Sequence, residues 1–248
     1  MERDPTNDTE WGARIARARD LAAHRPAAAE LLMFYAALAE YQRALAASAR
    51  DAATFDVDRV IEAIPGFLAW LRQNGRSDLA ASVEIDPVAS AIAHQGDSKN
   101  PADLFVIESL LQAFAEHLVN GDPPPPGSIP MRCPRCAALP VAAVLREEGH
   151  GAKRFLLCAL CLHEWECLRI VCPFCGEQDF DTLPVYTAEQ FAHVRIDACD
   201  RCRHYIKTID LTRDGLAVPC VDDIASVSLD LWAGERGYTR IKSNLLGF

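Results

Sequence analysis

Eight of the ten cysteines stand in four Cys-x-x-Cys pairs, and this pattern constrains the fold more than any other feature of the 248-residue chain. The pairs are Cys133 with Cys136, Cys158 with Cys161, Cys172 with Cys175, and Cys199 with Cys202. One Cys-x-x-Cys turn, a knuckle, aims two sulfurs at a common point, and two knuckles supply the four ligands of a tetrahedral metal site. The sequence therefore predicts two four-cysteine metal sites.

The two halves of this region are copies of one module. Met131 to Ile170 aligns with Val171 to Asp210, a period near 40 residues. Matching positions outside the cysteines are Pro134 and Pro173, Arg154 and Arg195, and His163 and His204. Between the knuckles lie 21 residues in the first copy and 23 in the second, enough for a strand, a turn and a returning strand. This layout is typical of zinc ribbons and rubredoxin-like modules.

Metal binding explains how such small modules fold. A module of roughly 40 residues cannot bury enough apolar surface to be stable alone, whereas a structural metal site contributes on the order of 10 kcal/mol. Four cysteines leave no coordination position for a substrate, so these sites indicate structure rather than catalysis. Pairing within each copy is the simplest scheme, but the spacing is also compatible with a cross-braced one.

The cysteine-free N-terminal region is predicted to be a bundle of five or six helical segments. Apolar residues recur at helical spacing from Pro26 to Ala47 and again after Asn100, a predicted N-cap followed by Pro101. A third segment, Val57 to Gln73, should break at Pro65 and Gly66. The aromatic stripe of Phe34, Tyr35 and Tyr41 is interpreted as packed core rather than as a ligand groove.

Five prolines and two glycines between 121 and 130 indicate a domain boundary. The predicted fold is α plus small β: an all-α bundle, two tandem rubredoxin-like or zinc-ribbon modules, and a C-terminal helical tail. The corresponding boundaries are 1–122 for the helical domain, 123–130 for the linker, 131–170 and 171–212 for the two modules, and 213–248 for the tail.

Charge and hydropathy exclude several functional classes. The net charge is −10, and residues 131–248 hold 14 basic and 16 acidic residues, so the basic face of a nucleic-acid-binding domain is missing. Neither a secretory signal nor an apolar run long enough to cross a bilayer is visible. We therefore expect a cytoplasmic protein without membrane insertion, in which cysteines are thiols or metal ligands rather than disulfides.

The remaining candidates for chemistry are few. Cys167 and Cys220 lie outside the repeat and are interpreted as small buried residues. His163 and His204 follow the second knuckle of each copy, where we expect them beside the sulfurs rather than among the ligands. Phosphate loops, nucleophile elbows and His-Glu-x-x-His motifs are lacking, so no catalytic or cofactor-binding residue is assigned and the chain is not predicted to be an enzyme.

Motifs along nearly the whole chain resemble the formate dehydrogenase accessory protein (FdhE-like) family. They are Arg25-Pro26 with Leu31 to Tyr35 and Gln42, Arg132 to Cys136, Cys158 to Cys161 with Trp165, Cys172 to Gly176, Cys199 to Cys202 with Tyr205 to Thr208, Asp222 to Ser226, Leu229 to Trp232, and Gly237-Tyr238. The resemblance implies a non-catalytic cytoplasmic maturation factor that acts on the catalytic subunit of respiratory formate dehydrogenase before export. It also implies two rubredoxin-like sites that hold iron or zinc.

One departure from the family pattern has a physical consequence. Ala137 follows the first knuckle, where a Cys-Pro-x-Cys-Gly knuckle has glycine, as Gly176 does in the second copy. The φ > 0 geometry common after such turns costs alanine about 1 kcal/mol. We therefore expect slight strain at the first site.

Two other functions remain as alternatives. The chain could be a redox-active or sulfur-handling rubredoxin-like protein, since iron in a four-sulfur site can change its oxidation state. It could also be a zinc-ribbon nucleic-acid-binding protein, an interpretation that the acidic balance opposes.

Overall fold

The structure is a computed structural model that describes residues 5–49, 56–94, 98, 100–115, 130–149 and 151–248. The predicted linker 123–130 lies outside this part of the chain except for Pro130. The described residues form an N-terminal set of helices, one mixed β-sheet and a C-terminal pair of helices.

Seven helices form the N-terminal region within the described residues. They are α1 (Pro5–His24), α2 (Ala29–Ala49), α3 (Val57–Glu62), α4 (Ile64–Gln73), α5 (Ser77–Ala81), α6 (Ile85–His94) and α7 (Pro101–Ala113). The predicted number of helical segments, five or six, was too low. The additional helices α5 and α6 are short, with 5 and 10 residues. The predicted helix from Pro26 begins as a 3-10 turn, Pro26–Ala28, before α2.

Local sequence signals explain where several helices begin and end. The Asn100 side chain accepts a hydrogen bond of 3.0 Å from the Ala102 amide, which caps α7 as predicted. The predicted break falls at Ala63, between α3 and α4, and Pro65 lies in the first turn of α4, where proline is tolerated.

The aromatic residues of the bundle are core. The rings of Tyr41 and Trp70 lie 5.2 Å apart, and Phe67 stacks on Trp70 at 5.6 Å. Phe34 packs on the same cluster, whereas Tyr35 faces the C-terminal helices. The interpretation of this stripe as packed core is therefore confirmed.

The two modules share one seven-stranded sheet. Its strands are β1 (Pro140–Glu148), β2 (Gly151–Cys158), β3 (Glu164–Cys167), β4 (Val185–Thr187), β5 (Val194–Ala198), β6 (His204–Asp210) and β7 (Thr239–Arg240). Strands β1 to β3 belong to the first module and β4 to β6 to the second, and each set is antiparallel. The modules join through a parallel pairing of Ala142–Leu145 in β1 with Lys207–Asp210 in β6.

The C-terminal segment connects the sheet to the helices. It contains α8 (Pro219–Ala225) and α9 (Val227–Glu235), and β7 then pairs with the start of β6. Val221, Ile224 and Ala225 of α8 pack with α1 and α2 in one buried cluster. The predicted architecture of helical bundle, two tandem four-cysteine modules and helical tail is thus confirmed, with the addition of one short strand. In the described part of the chain, no helix has the length and apolar character that a bilayer-spanning segment needs.

Candidate metal centres

The first centre brings together Cys133, Cys136, Cys158 and Cys161. Its sulfur atoms are 3.3 Å apart for Cys136 and Cys158, 3.5 Å for Cys133 and Cys161, and 3.6 Å for Cys136 and Cys161. A tetrahedral ion with bonds of about 2.3 Å places its sulfur ligands about 3.8 Å from one another. The four sulfurs therefore surround a space suited to one metal ion.

The second centre has the same plan. Cys172, Cys175, Cys199 and Cys202 converge, with 3.7 Å between the sulfurs of Cys172 and Cys202 and 3.7 Å between those of Cys175 and Cys199. In both groups all ligand atoms lie within 4.8 Å of one another. The structure thus pairs the knuckles within each copy rather than in the cross-braced manner, and each group could hold one metal ion.

All four knuckles end in a residue with positive φ. Gly176 has φ 77°, and the three other positions are occupied by Ala137 (60°), Leu162 (53°) and Arg203 (59°). The expectation for Ala137 is therefore confirmed, and two further non-glycine residues share its geometry. This conformation is unfavourable for residues with a Cβ, so the folded sheet and the two centres must hold it in place.

Backbone hydrogen bonds build the knuckles. Cys133 donates its amide to the Ala138 carbonyl at 2.9 Å, and Cys172 donates to Glu177 at 2.8 Å. The second knuckles repeat this pattern, with Cys158 donating to His163 at 3.0 Å and Cys199 to His204 at 2.9 Å. The repeated pattern fixes the sulfur positions by local backbone geometry.

Backbone amides also point at the sulfurs, which stabilises thiolates. The amide of Arg135 lies 3.4 Å from the Cys133 sulfur, and the amides of Leu160 and Cys161 lie 3.4 Å from that of Cys158. The pKa of Cys133 is lowered because its three neighbouring thiols donate hydrogen bonds to it. Hydrogen bonds to Cys133 and Cys136 in turn raise the pKa of Cys158 and Cys161. Without a cation the four groups therefore share protons, and full deprotonation requires a metal ion.

The two centres differ in their access to solvent. In the second centre Cys175 is exposed and Cys202 is half-buried, whereas the first centre has no exposed cysteine. The second centre is therefore the one that a partner molecule can approach. Burial also raises the pKa of its Cys172 thiol to about 11.

The other histidines and cysteines that the sequence singled out lie outside both groups of four sulfurs, as predicted, although Cys220 is less buried than expected. The His204 ring stacks on Phe174 at 3.7 Å, and its Nδ1 lies 2.8 Å from the Cys202 carbonyl oxygen. Cys167 is buried, and burial raises its pKa. Cys220 is half-buried, with its sulfur 3.5 Å from the Tyr35 hydroxyl. None of these residues belongs to either group of four sulfurs.

A third cluster, His193, Asp214 and Asp222, also has metal-ligating atoms close together. The Arg17 guanidinium occupies it, however, at 2.6 Å from Asp222 and 2.7 Å from Asp214. His193 Nε2 donates a hydrogen bond of 2.8 Å to the same Asp222 oxygen. The guanidinium already pairs with both carboxylates, so the cluster is an ion-pair network that joins α1 to α8.

Sequence reasoning missed a buried charge network beneath the sheet. Lys207 is fully buried and lies 2.6 Å from Asp230 and 3.1 Å from Asp223. Arg240 pairs with the same two carboxylates, and the Tyr205 hydroxyl donates to Asp230 at 2.8 Å. Two cations and two anions thus balance each other. A sequence signal for this network was present, because all of its residues except Arg240 fall within the motifs that resemble the family. Charged residues are usually at the surface, however, so the sequence did not predict a buried network.

Comparison with known proteins identifies both Cys-rich modules. Residues 132–169 match the FdhE central domain, and residues 170–246 match the FdhE C-terminal domain. The structure of the FdhE protein from Pseudomonas aeruginosa shares the fold over 95% of both chains, with a TM-score of 0.74 and 24% identity.

Curated relatives match about half of the chain. The protein FdhE homolog of Aquifex aeolicus is 42% identical over 117 residues, which is 47% of this chain and 41% of that protein. The homolog of Pseudomonas putida is 33% identical over 129 residues, 49% of this chain and 40% of that protein. The matched region thus spans about two fifths of the length of these relatives. Both four-cysteine modules, residues 132–246, are thus similar to the central and C-terminal domains of FdhE proteins.

Proposed function

We propose that this protein is an accessory factor for respiratory formate dehydrogenase that binds the catalytic subunit in the cytoplasm before export. The observation that carries the proposal is the match of residues 132–246 to the central and C-terminal FdhE domains. The surface of the second centre, with one exposed cysteine, is accessible to such a client.

In this proposal the eight cysteines hold two ions, iron or zinc, that stabilise the binding surface. Cys133, Cys136, Cys158 and Cys161 hold one ion, and Cys172, Cys175, Cys199 and Cys202 hold the other. A bound ion with four sulfur ligands supplies structural cross-linking and offers no open position to a substrate. The cysteines and their knuckle amides thus shape a surface, and the protein acts without catalysing a reaction itself.

Deletion of the gene tests the maturation role. The deletion strain should make the catalytic subunit in normal amounts but oxidise formate at a small fraction of the normal rate. Re-expression of the intact gene should restore the activity. Normal formate oxidation in the deletion strain would contradict the proposal.

A redox function is the second candidate, favoured by the exposure of Cys175 at the second centre. An exposed cysteine ligand shortens the path for electrons between an iron ion and a docked partner. Protein purified without oxygen, followed by metal analysis and an absorbance spectrum, separates the two cases. Colourless, zinc-loaded protein that still restores formate oxidation would exclude the redox function.

A further inference from the structure

Two contacts in the second centre join one knuckle to the other without passing through a sulfur atom. Arg201, inside the second knuckle, donates a hydrogen bond of 2.6 Å to the carboxylate of Glu177, which lies two residues after the first knuckle. Phe174, inside the first knuckle, stacks on His204, which lies two residues after the second. The ring centroids are 3.7 Å apart and the planes differ by 15°. We call these four residues the knuckle clasp.

The two contacts of the knuckle clasp follow the same rule in opposite directions. In each, the third residue of a Cys-x-x-Cys knuckle contacts the residue two places after the other knuckle. Each knuckle therefore holds the other, once by charge and once by the stacking of two rings.

Backbone hydrogen bonds fix one partner of each contact. Glu177 is only 15% exposed, and its Oε1 accepts from the amides of Gln178 and Asp179 at 2.9 and 3.0 Å. The His204 ring donates from Nδ1 to the Cys202 carbonyl oxygen at 2.8 Å. Ion pairs at the surface usually contribute little because two long side chains must lose their freedom. In this pair the carboxylate is already held, so only the arginine remains to be ordered.

The matching positions of the first centre hold different side chains. Leu160 and Ala138 take the places of the ion pair, and both pack against the apolar cluster around the first centre. Two basic residues, Arg135 and His163, take the places of the stacked rings. The first centre has no exposed cysteine, whereas Cys175 of the second centre is exposed. The knuckle clasp thus occurs at the centre that burial protects less.

Contacts between knuckles affect how easily a four-cysteine site loses its ion. Sulfur–metal bonds break one at a time, and a freed thiolate can bind again as long as it stays near its former position. A link that keeps the two knuckles together raises the effective concentration of the freed thiolate. Such a link should therefore slow the exchange of the ion without changing the ligands.

We infer that the knuckle clasp controls how fast the second centre exchanges its metal ion with the solution. Arg201 and Glu177 hold the two knuckles together by charge, and Phe174 and His204 hold them together by stacking. The inference rests on the metal binding that is part of the proposed function, and it is independent of the client protein.

Extraction of zinc from the zinc-loaded protein by EDTA tests the knuckle clasp. In isotope-labelled protein, the amide signals of Gly176 and Ala137 report separately on the second and the first centre. Arg201→Gln should increase the initial rate of zinc loss from the second centre about threefold, and Phe174→Ala should do so by about the same factor. The initial rate at the first centre should stay as in wild type.

Three further measurements isolate the role of charge. Arg201→Lys keeps the positive charge and should stay close to the wild-type rate. Glu177→Gln keeps the acceptor for the two backbone amides but loses the charge, so it should match Arg201→Gln, and the double variant should be no faster than either. Raising sodium chloride from about 0.05 M to about 0.5 M should speed zinc loss from wild type more than from Arg201→Gln, because salt screens the ion pair.

Matched controls lie outside the knuckle clasp. Arg19→Gln removes an ion pair of the same length, 2.6 Å to Glu40, between α1 and α2. Phe180→Ala removes a phenylalanine that is 70% exposed in the second module. Both controls should lose zinc at the wild-type rate. Unfolding midpoints measured in parallel establish that each variant is folded.

The outcomes separate this inference from the metal binding on which it rests. If wild type binds two zinc ions and Arg201→Gln and Phe174→Ala lose them at the wild-type rate, the knuckle clasp is wrong and metal binding stands. An equal acceleration in Arg19→Gln would contradict the knuckle clasp as well. Wild-type protein that binds no zinc at the second centre would overturn both.

Discussion

Ala137 occupies the left-handed conformation that glycine occupies in the second copy, with φ 60° against 77° for Gly176. Replacing it with glycine removes the contact between Cβ and the carbonyl oxygen. We predict that Ala137→Gly raises the free energy of unfolding by about 0.5–1 kcal/mol, since the gain exceeds the added freedom of the unfolded chain. Chemical denaturation of the metal-loaded protein measures this change.

Gly176→Ala is the reciprocal control. A Cβ at this position would meet only the end of the Met131 side chain, at 3.9 Å, so the substitution introduces backbone strain without a clash. It should destabilise the protein by about 1 kcal/mol. If Ala137→Gly were neutral or destabilising, the strain assigned to the first knuckle would be wrong.

Lys207 is a charged residue whose replacement should be severe. Its ammonium group lies between Asp223 and Asp230 and also donates to the Asp223 carbonyl oxygen at 2.6 Å. Lys207→Met keeps the length of the side chain but leaves two buried carboxylates with one cation. We predict a loss of about 3–5 kcal/mol in unfolding free energy, measured by denaturation.

Lys153→Met is the matched control, because Lys153 forms its ion pairs with Glu148 and Glu166 at the surface. Exposed pairs contribute about 0–1 kcal/mol. Equal effects of the two substitutions would show that the Lys207 network contributes no more than a surface pair.

At the scale of elements, the parallel pairing of β1 and β6 makes the two modules one sheet. Cys133→Ser removes one ligand from the first centre and should therefore destabilise β1. Because Ala142–Leu145 of β1 pairs with Lys207–Asp210 of β6, it should also destabilise β6. We predict that amide hydrogen exchange accelerates in β6 as well as in β1. Cys172→Ser in the second centre should have the same effect on both strands.

Independent modules would behave differently. In that case Cys133→Ser would leave β5 and β6 as protected from amide hydrogen exchange as in wild type. The predicted boundary at residue 170 would then separate two units that unfold independently. Cys167→Ser, a cysteine outside both centres, is the control for the loss of a buried sulfur.

The sequence predicted the elements whose causes are local. The knuckles, the φ of Ala137 and the cap at Asn100 depend on neighbouring residues, and each was found where the pattern placed it. The helix break predicted at Pro65 and Gly66 lies earlier, at Ala63, because proline is tolerated in the first turn of α4. The pairing of β1 with β6 and the network of Lys207, Asp223, Asp230 and Arg240 depend on residues far apart in the chain. No spacing rule brings Arg240 to Asp223, and an isolated charge is ordinarily assigned to the surface.

At the scale of the whole molecule, α8 is shared by both halves. Its adjacent carboxylates point in different directions, since successive helical residues are about 100° apart. Asp222 binds Arg17 of α1, while Asp223 binds Lys207 and Arg240 of the sheet. The division into a helical domain 1–122 and modules from 131 onwards remains a prediction from sequence, because this helix connects the two regions.

We predict from this arrangement that helices and sheet unfold in a single thermal transition. Circular dichroism follows the helices, and release of the bound metal follows the two centres. Both signals should share one midpoint. Arg17→Gln, which breaks the contact to the buried Asp222, should lower that midpoint for both signals together. Two separate midpoints in wild type would contradict a shared core.

The parallel pairing also has a consequence for the order of events during synthesis. Ala142 precedes its partner Lys207 by about 65 residues, and the first four cysteines leave the ribosome well before β6 does. Closing so long a loop is slow relative to forming a local turn. The knuckles of the first centre can therefore bind an ion while one edge of β1 still lacks its partner strand β6. Until β6 emerges, that open strand edge can pair with the same segment of another nascent chain, even when the first centre already holds its ion.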